Sequence, residues 1–246
     1  MRLEIAGEGP SVLLLHGTPS AWDVLRPLAA ACGQRRVLIA ALPGYGGTPA
    51  WPVEPTADDF AEALEASLAS ASTTRLSIVG FSGGAYHALH VASRGKVHVD
   101  AVVTLGGFAD LSAEERAGMK GFADALRSGA PLDGVPTARF LSPTFARAHP
   151  AACQRVESWL HATSRENLAR ELLMFSKMPS VLPGLATFAG RIVARVGALD
   201  LAAPPAHSEA IARASPHSVM QIVEGAGHAL MEEDLNGTIE TVRTTV

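Results

Sequence analysis

Short runs of Val, Ile and Leu, each bounded by turn residues, constrain the fold of this chain more than any other feature of its sequence. The runs are nearly continuous in apolar residues, which is typical of strands buried on both faces of a parallel sheet. The predicted strands are Ser11 to His16, Arg36 to Leu42, Arg75 to Gly80, Asp100 to Gly107, Arg191 to Gly197 and Ser218 to Gly225. They predict an α/β fold with a mostly parallel central sheet.

Stretches of helix length separate several of these strands. We predict helices over Ala21 to Ala31, Thr56 to Ala71, Gly83 to Ser93 and Pro204 to Ala214. Strands that alternate with helices favour right-handed βαβ crossovers, which place helices on both faces of the sheet.

The alternation stops after Asp110 and resumes only near Arg191. Between them the sequence has no convincing strand pattern, and prolines break its helix-like segments. A chain of 246 residues fits one α/β domain with an insertion. We therefore predict a core formed by residues 1–110 and 186–246, with a helical cap, residues 111–185, inserted into it.

Composition excludes several classes of protein. Hydrophobic residues make up 48% of the chain and charged residues 18%, which argues against disorder. The net charge of -4, without long charged runs, gives no electrostatic case for a nucleic-acid partner. The start shows no signal-peptide pattern, and no apolar run is long enough for a membrane span. We expect a cytoplasmic protein without a membrane partner, and apolar environments for Cys32 and Cys153.

A glycine-serine turn follows one predicted strand and precedes a predicted helix. Gly80 to Gly84 read Gly-Phe-Ser-Gly-Gly and match the G-x-S-x-G pattern in its strand, turn, helix context. Such a turn strains the serine, and a side chain at Gly80 or Gly84 would collide with neighbouring backbone. We interpret Ser82 as the candidate nucleophile.

A serine nucleophile needs a base and an orienting acid at the same edge of the sheet. His228 follows the last predicted strand, whereas His217 precedes that strand and His207 lies in a helix. Asp200 follows the preceding strand after a short turn. We predict His228 as the base and Asp200 as the acid. The alternative for His228 taken alone is an ordinary loop histidine, and the alternative for Asp200 taken alone is a plain N-cap of the following helix.

Asp110 is the competing candidate for the acid. It follows the predicted strand that ends near Leu105, but four further residues separate it from that strand end. Its carboxylate would have to double back to reach His228. We therefore prefer Asp200.

The order Ser82, Asp200, His228 resembles that of the α/β-hydrolase superfamily, and the resemblance covers Val12 to Gly107 and Arg191 to Val246. His16 to Pro19 resembles the HG oxyanion loop of that family. The resemblance implies an oxyanion hole formed by the backbone N–H groups of Thr18 and Gly83, with a structural role for His16. Only Met1 to Ala6 is available for the strands that usually open this fold, so the first strand is expected to be truncated or missing.

The resemblance implies a serine esterase or lactonase that works through an acyl-enzyme without a cofactor. Relatives that cleave epoxides or carbon-halogen bonds use Asp at the position of Ser82, so those chemistries are excluded. Four alternatives remain open: a C–C bond hydrolase, an amide or peptide hydrolase, a thioesterase, and a non-enzymatic ligand receptor on the same scaffold. A lyase or cofactor-free oxygenase is a further possibility.

Two other groups of residues invite a functional interpretation. His87 and His90 follow the Ser82 turn, but without further ligands nearby they predict packing rather than a metal site. The aromatic and Met side chains of the insertion could line a substrate pocket, but apolar residues at helical spacing more often only pack together. They are Phe122, Phe140, Phe145, Trp159, Met174 and Phe175.

Overall fold

The computed structural model describes all 246 residues and contains one seven-stranded sheet. The strands are β1 (Arg2–Ala6), β2 (Ser11–Leu15), β3 (Arg36–Ala41), β4 (Arg75–Phe81), β5 (His98–Leu105), β6 (Arg191–Gly197) and β7 (Ser218–Val223). Their order is β1-β3-β2-β4-β5-β6-β7. Only β1 is antiparallel to its neighbour, and all other pairs are parallel. The predicted fold class is confirmed.

The helices follow the predicted alternation with one exception. They are α1 (Arg26–Ala29), α2 (Ala57–Ser70), α3 (Gly83–Arg94), α4 (Ala113–Arg127), α5 (Val135–Phe140), α6 (Pro143–Ala148), α7 (Pro150–Ser158), α8 (Arg165–Lys177), α9 (Leu182–Leu185), α10 (Pro205–Ala214), α11 (Leu230–Glu233) and α12 (Leu235–Thr245). The long helix predicted over Ala21 to Ala31 is wrong, because only α1 and a following 3₁₀ turn form there. Pro27 has no N–H to donate to the carbonyl of Asp23, so a helix cannot run through that turn.

A single strand, β1, precedes β2, so the expected pair of opening strands is reduced to one, in agreement with the expectation that the first strand of the fold is truncated or missing. Strand β1 pairs antiparallel with β3 along its whole length, from Arg2 opposite Ala41 to Ala6 opposite Val37. The turn into β2 contains Gly7 at a φ of +76°, where a Cβ would lie 2.4 Å from the carbonyl oxygen of Arg35. Because glycine alone fits this close approach, the short segment before β2 can return along the edge of the sheet.

Two apolar clusters cover the two faces of the sheet. In β2, Leu13 and Leu15 belong to one cluster, whereas Val12 and Leu14 belong to the other. Successive side chains of a strand point to opposite faces, so a strand covered on both sides needs apolar residues at every position. This explains the continuous apolar runs of the sequence.

The chain between β5 and β6 forms the six helices α4 to α9 and no strand. A third apolar cluster, which includes Leu126, Leu168 and Leu172, joins α4 to α8. None of the helices in the protein combines the length and the apolar character that crossing a membrane requires.

Candidate active site

Ser82 lies in the sharp turn between β4 and α3. Its backbone adopts φ 52° and ψ -120°, a conformation that is strained for a residue with a side chain. The turn is fixed from the neighbouring strand, because the Ser82 N–H donates to the carbonyl of Leu105 at 2.9 Å. Ser82 therefore stands at the carboxyl edge of the sheet, at the N-terminus of a helix.

Glycines on both sides of Ser82 allow the turn to pack closely. A Cβ at Gly84 would lie 2.3 Å from the carbonyl oxygen of His16, and a Cβ at Gly80 would lie 2.6 Å from the Cα of Ala85. Both contacts are with backbone, which cannot rotate away as a side chain can. The steric reason that the sequence suggested for these glycines is confirmed.

Replacing Gly84 with Ala is expected to destabilise the protein by about 1–3 kcal/mol, because the new methyl group overpacks rigid backbone. Gly121→Ala is the matched control, since Gly121 is also helical and a Cβ there meets nothing within 4 Å. The control should be neutral or stabilising by up to about 1 kcal/mol. Urea unfolding of both variants measures the two changes. Equal stability of G84A and G121A would contradict the steric argument.

His228 and Asp200 form a buried pair at the same edge of the sheet. The imidazole Nδ1 lies 2.7 Å from Asp200 Oδ2, and the two residues are 1% and 2% exposed. Asp200 Oδ1 accepts hydrogen bonds from the backbone N–H groups of Ala202 and Ala203, both at 2.8 Å. A carboxylate can only accept, so Nδ1 of His228 carries the proton and Nε2 keeps its lone pair.

The His228 ring packs beside the Ser82 turn. Its centroid lies 4.9 Å from that of Phe81 and 5.2 Å from that of Phe140. Gly106, at φ +55°, packs directly against the pair, since a Cβ there would lie 2.7 Å from His228 Nδ1 and 2.9 Å from Asp200 Oδ2. The structure contains no hydrogen bond between the Ser82 hydroxyl and the imidazole; in unliganded sites such bonds often form only when substrate binds.

Asp110 takes no part in this arrangement. Its Oδ1 accepts hydrogen bonds from the N–H of Leu111 at 2.7 Å and from the Arg116 guanidinium at 2.9 Å. The side chain is 41% exposed. The carboxylate thus supports the start of α4, and the geometry favours Asp200 as the partner of His228.

Two backbone donors lie beside Ser82. Neither Thr18 N–H nor Gly83 N–H donates to an acceptor within the protein. The two residues are neighbours, because a Cβ at Gly83 would lie 3.3 Å from Thr18 Oγ1. Two free N–H groups, one of them at the start of helix α3, can stabilise an oxyanion.

His16 stabilises the loop that holds Thr18. It is buried, its Nδ1 lies 2.9 Å from the Gly17 carbonyl, and its Nε2 accepts the Leu42 N–H at 3.1 Å. Burial lowers the pKa of His16 to about 4. A neutral imidazole with a hydrogen bond at each ring nitrogen fits the structural role that the resemblance implies.

A cavity of about 580 Å³ opens next to Ser82. Thr18, Gly83 and Ser82 line one wall, and the opposite wall comes from the inserted helices. The apolar side chains that this segment contributes are Leu111, Met119, Phe122, Val135, Pro136, Phe140, Leu160, Leu172 and Phe175. Phe122, Phe140 and Phe175 thus line the cavity, whereas Phe145, Trp159 and Met174 pack elsewhere. The site combines polar donors with a mostly apolar chamber.

The sequence reasoning missed an acid next to this site. Glu171 of α8 is fully buried, and its Oε2 accepts the Thr18 hydroxyl at 2.9 Å. The helical periodicity of the sequence could have indicated its burial, because Glu171 falls on the apolar stripe of Leu168, Leu172 and Phe175.

The two histidines that follow the Ser82 turn, His87 and His90, pack in the core. His87 stacks on Phe60 with ring centroids 4.3 Å apart, and burial lowers its pKa to about 3. His90 Nε2 lies 3.4 Å from the Asp58 carboxylate. No cluster of three or more His, Cys, Asp or Glu side chains in the protein could hold a metal ion.

Comparison with known proteins gives one family and many structures of the same fold. Residues 12–239 match the model of the alpha/beta hydrolase family. An esterase from Thermogutta terrifontis has a TM-score of 0.89 at 23% identity, with 99% of this chain and 91% of the esterase covered. The enol-lactonase of Burkholderia xenovorans LB400 has a TM-score of 0.88 at 18% identity, with 99% and 95% covered.

A third similar structure is MenH from S. aureus, with a TM-score of 0.85 at 16% identity and coverage of 99% of this chain and 97% of MenH. No curated protein is significantly similar in sequence to this chain. Since the names of these similar structures differ, the fold alone does not select an activity.

Proposed function

Because this chain belongs to the alpha/beta hydrolase family, we propose that it is a serine hydrolase that cleaves a carboxylic ester or lactone. The observation that carries the proposal is the arrangement around Ser82. A strained serine and two free backbone donors share one cavity, and the buried pair of His228 and Asp200 lies beside the same turn. These are the parts that acyl transfer requires.

The proposed reaction starts with attack of Ser82 Oγ on the substrate carbonyl carbon while Nε2 of His228 takes the hydroxyl proton. The N–H groups of Thr18 and Gly83 would stabilise the oxyanion of the tetrahedral intermediate. His228 then returns the proton to the leaving alkoxide, and an acyl-enzyme remains. A water activated by the same imidazole attacks the acyl carbonyl and releases the acid, which restores the Ser82 hydroxyl.

We further propose that residues 111–185 act as a cap over this site. The cavity wall opposite Ser82 consists mostly of apolar side chains from this segment, including Met119, Phe122 and Phe175. Such a wall excludes water and favours apolar substrate groups. The cap should therefore favour substrates that carry a neutral, apolar acyl or alcohol group.

Two measurements test the proposed function. A fluorophosphonate should label Ser82 alone, identified by mass spectrometry of the labelled peptide. A panel of chromogenic esters, lactones and amides should show turnover of esters or lactones, with rates that rise with acyl-chain length until the chain fills the cavity. Labelling without turnover of any substrate in the panel would favour a ligand receptor over an enzyme.

A further inference from the structure

A carboxyl group of helix α8 lies directly behind the loop from His16 to Pro19, which we call the oxyanion loop. Glu171 Oε2 accepts hydrogen bonds from the hydroxyl groups of Thr18 and Tyr45, both at 2.9 Å. Its Oε1 accepts one from the Asn167 amide at 2.9 Å. No Lys or Arg side chain pairs with it, although the residue is completely buried. Burying an acid without a cation is costly, so these three donors are what stabilises it.

Thr18 connects this acid to the proposed reaction centre. Its side-chain hydroxyl points to Glu171, while its backbone N–H has no acceptor in the protein and belongs to a residue of the cavity wall. A hydrogen bond to a side chain restricts the backbone that carries it. The direction of the Thr18 N–H thus depends on where helix α8 holds the carboxyl group.

We propose that Glu171 is a positioning residue, which through the Thr18 hydroxyl aims the Thr18 backbone N–H at the developing oxyanion. This inference rests on the proposed serine hydrolysis. It assigns Glu171 no contact with substrate and no proton transfer in the reaction.

The same helix also lines the cavity, which links the oxyanion loop to substrate binding. Leu172 and Phe175 of α8 face the chamber, and a Cβ at Gly83 would lie 2.7 Å from the Phe175 ring. At its start, α8 is fixed to the turn after β3, because the Asn167 amide donates to the Pro43 carbonyl at 3.1 Å. A substrate that packs against Leu172 and Phe175 therefore stabilises the helix position that orients Thr18.

The charge of Glu171 provides a measurable signature. Burial raises its pKa to about 8, against the opposing effect of its three hydrogen bonds. The other titratable groups around it remain neutral near that pH. Burial raises the pKa of Tyr45 well above its usual value, and burial lowers the pKa of His16 to about 4 and that of His87 to about 3.

Above about pH 8 both hydroxyl groups donate to the carboxylate, whereas below it the acid's own proton competes for the same oxygen. The Thr18 bond is thus strongest when Glu171 is ionised, and kcat should rise as the pH passes through the pKa.

The test compares Glu171→Gln with the parent and with Glu166→Gln, which changes an exposed carboxylate one turn earlier on the same helix. We expect E171Q to be near parental at pH 6.5 and about 10-fold lower in kcat at pH 9, with KM changed less than about 2-fold. The ratio of the two kcat values at each pH is the quantity compared. E166Q should follow the parent at every pH.

Variants at the two hydroxyl groups separate positioning from simple stabilisation of the acid. Thr18→Val should lower kcat at pH 9 as E171Q does, Thr18→Ser should recover most of that loss, and Tyr45→Phe should have a smaller effect. The double variant E171Q/T18V should be no slower than T18V, because both changes act on the same hydrogen bond and T18V already removes it. Thermal unfolding checks that each variant is folded.

Two results would overturn the inference: a constant ratio of E171Q to parent across the pH range, or a kcat loss in Y45F equal to that in T18V. Ser82→Ala distinguishes a failure of the proposed function itself. If S82A is inactive while E171Q and T18V keep the parental kcat at pH 9, only the positioning role is wrong. If S82A keeps the parental rate, the serine mechanism is wrong and the positioning role with it.

Discussion

Ser82→Ala is expected to lower kcat for ester hydrolysis by on the order of 10⁵- to 10⁶-fold, by analogy with other serine hydrolases. The hydroxyl is the proposed nucleophile, so its removal should abolish formation of the acyl-enzyme. Stability should change by less than about 1 kcal/mol, because alanine adopts the positive φ of residue 82 at a similar cost and the hydroxyl forms no hydrogen bond that packs the core. Initial rates on p-nitrophenyl esters and thermal unfolding measure both quantities.

Ser93→Ala is the matched control for that experiment. Ser93 lies near the end of the same helix, and its hydroxyl donates only to the His90 carbonyl, at 2.8 Å. It takes no part in the cavity next to Ser82. The control should keep the parental rate, and a parental rate in S82A as well would show that Ser82 is not the nucleophile.

Asp200→Asn is expected to lower kcat by about 10³- to 10⁴-fold. The position that Oδ1 occupies accepts two backbone N–H groups, so the amide oxygen of Asn would take that place. The amide nitrogen would then face Nδ1 of His228 and donate to it. The imidazole would have to carry its proton on Nε2, where it could no longer accept the proton of Ser82.

Asp110→Asn is the comparison that decides between the two acids. Asp110 pairs with Arg116 at the start of α4, so its loss should change kcat less than about 3-fold. The rates of the two variants on one ester substrate provide the measurement. If D110N lost more activity than D200N, the assignment of the acid to Asp200 would be wrong.

Central strands could be predicted from the sequence because each is buried on both faces. For β6 the predicted and observed limits agree, from Arg191 to Gly197, and β2 differs only by the omission of His16. Strand β1 could not be recognised in the same way. It is an edge strand of five residues, mostly exposed, so Arg2 and Glu4 interrupt any apolar run.

The residues of the candidate site likewise differ in how far the sequence could predict them. Ser82, Asp200 and His228 were identified because each follows a strand, and parallel strands end at one edge of the sheet. Glu171 reaches the site from the inserted helices, whose placement over the sheet depends on packing between distant segments. Nothing in the local sequence connects Glu171 to Thr18, 153 positions away.

The inserted segment separates the proposed nucleophile from its proposed partners along the chain. Ser82, Thr18 and Gly83 precede it, and Asp200 and His228 follow it. When translation has reached residue 185, both proposed oxyanion donors have been synthesised, but the proposed acid and base have not. The carbonyl of Arg195 in β6 then accepts the N–H of Gly106, the residue that supports both. If the proposed mechanism holds, the growing polypeptide should therefore have no hydrolase activity until its last two strands dock, so that completion of the sheet and onset of reactivity are one event.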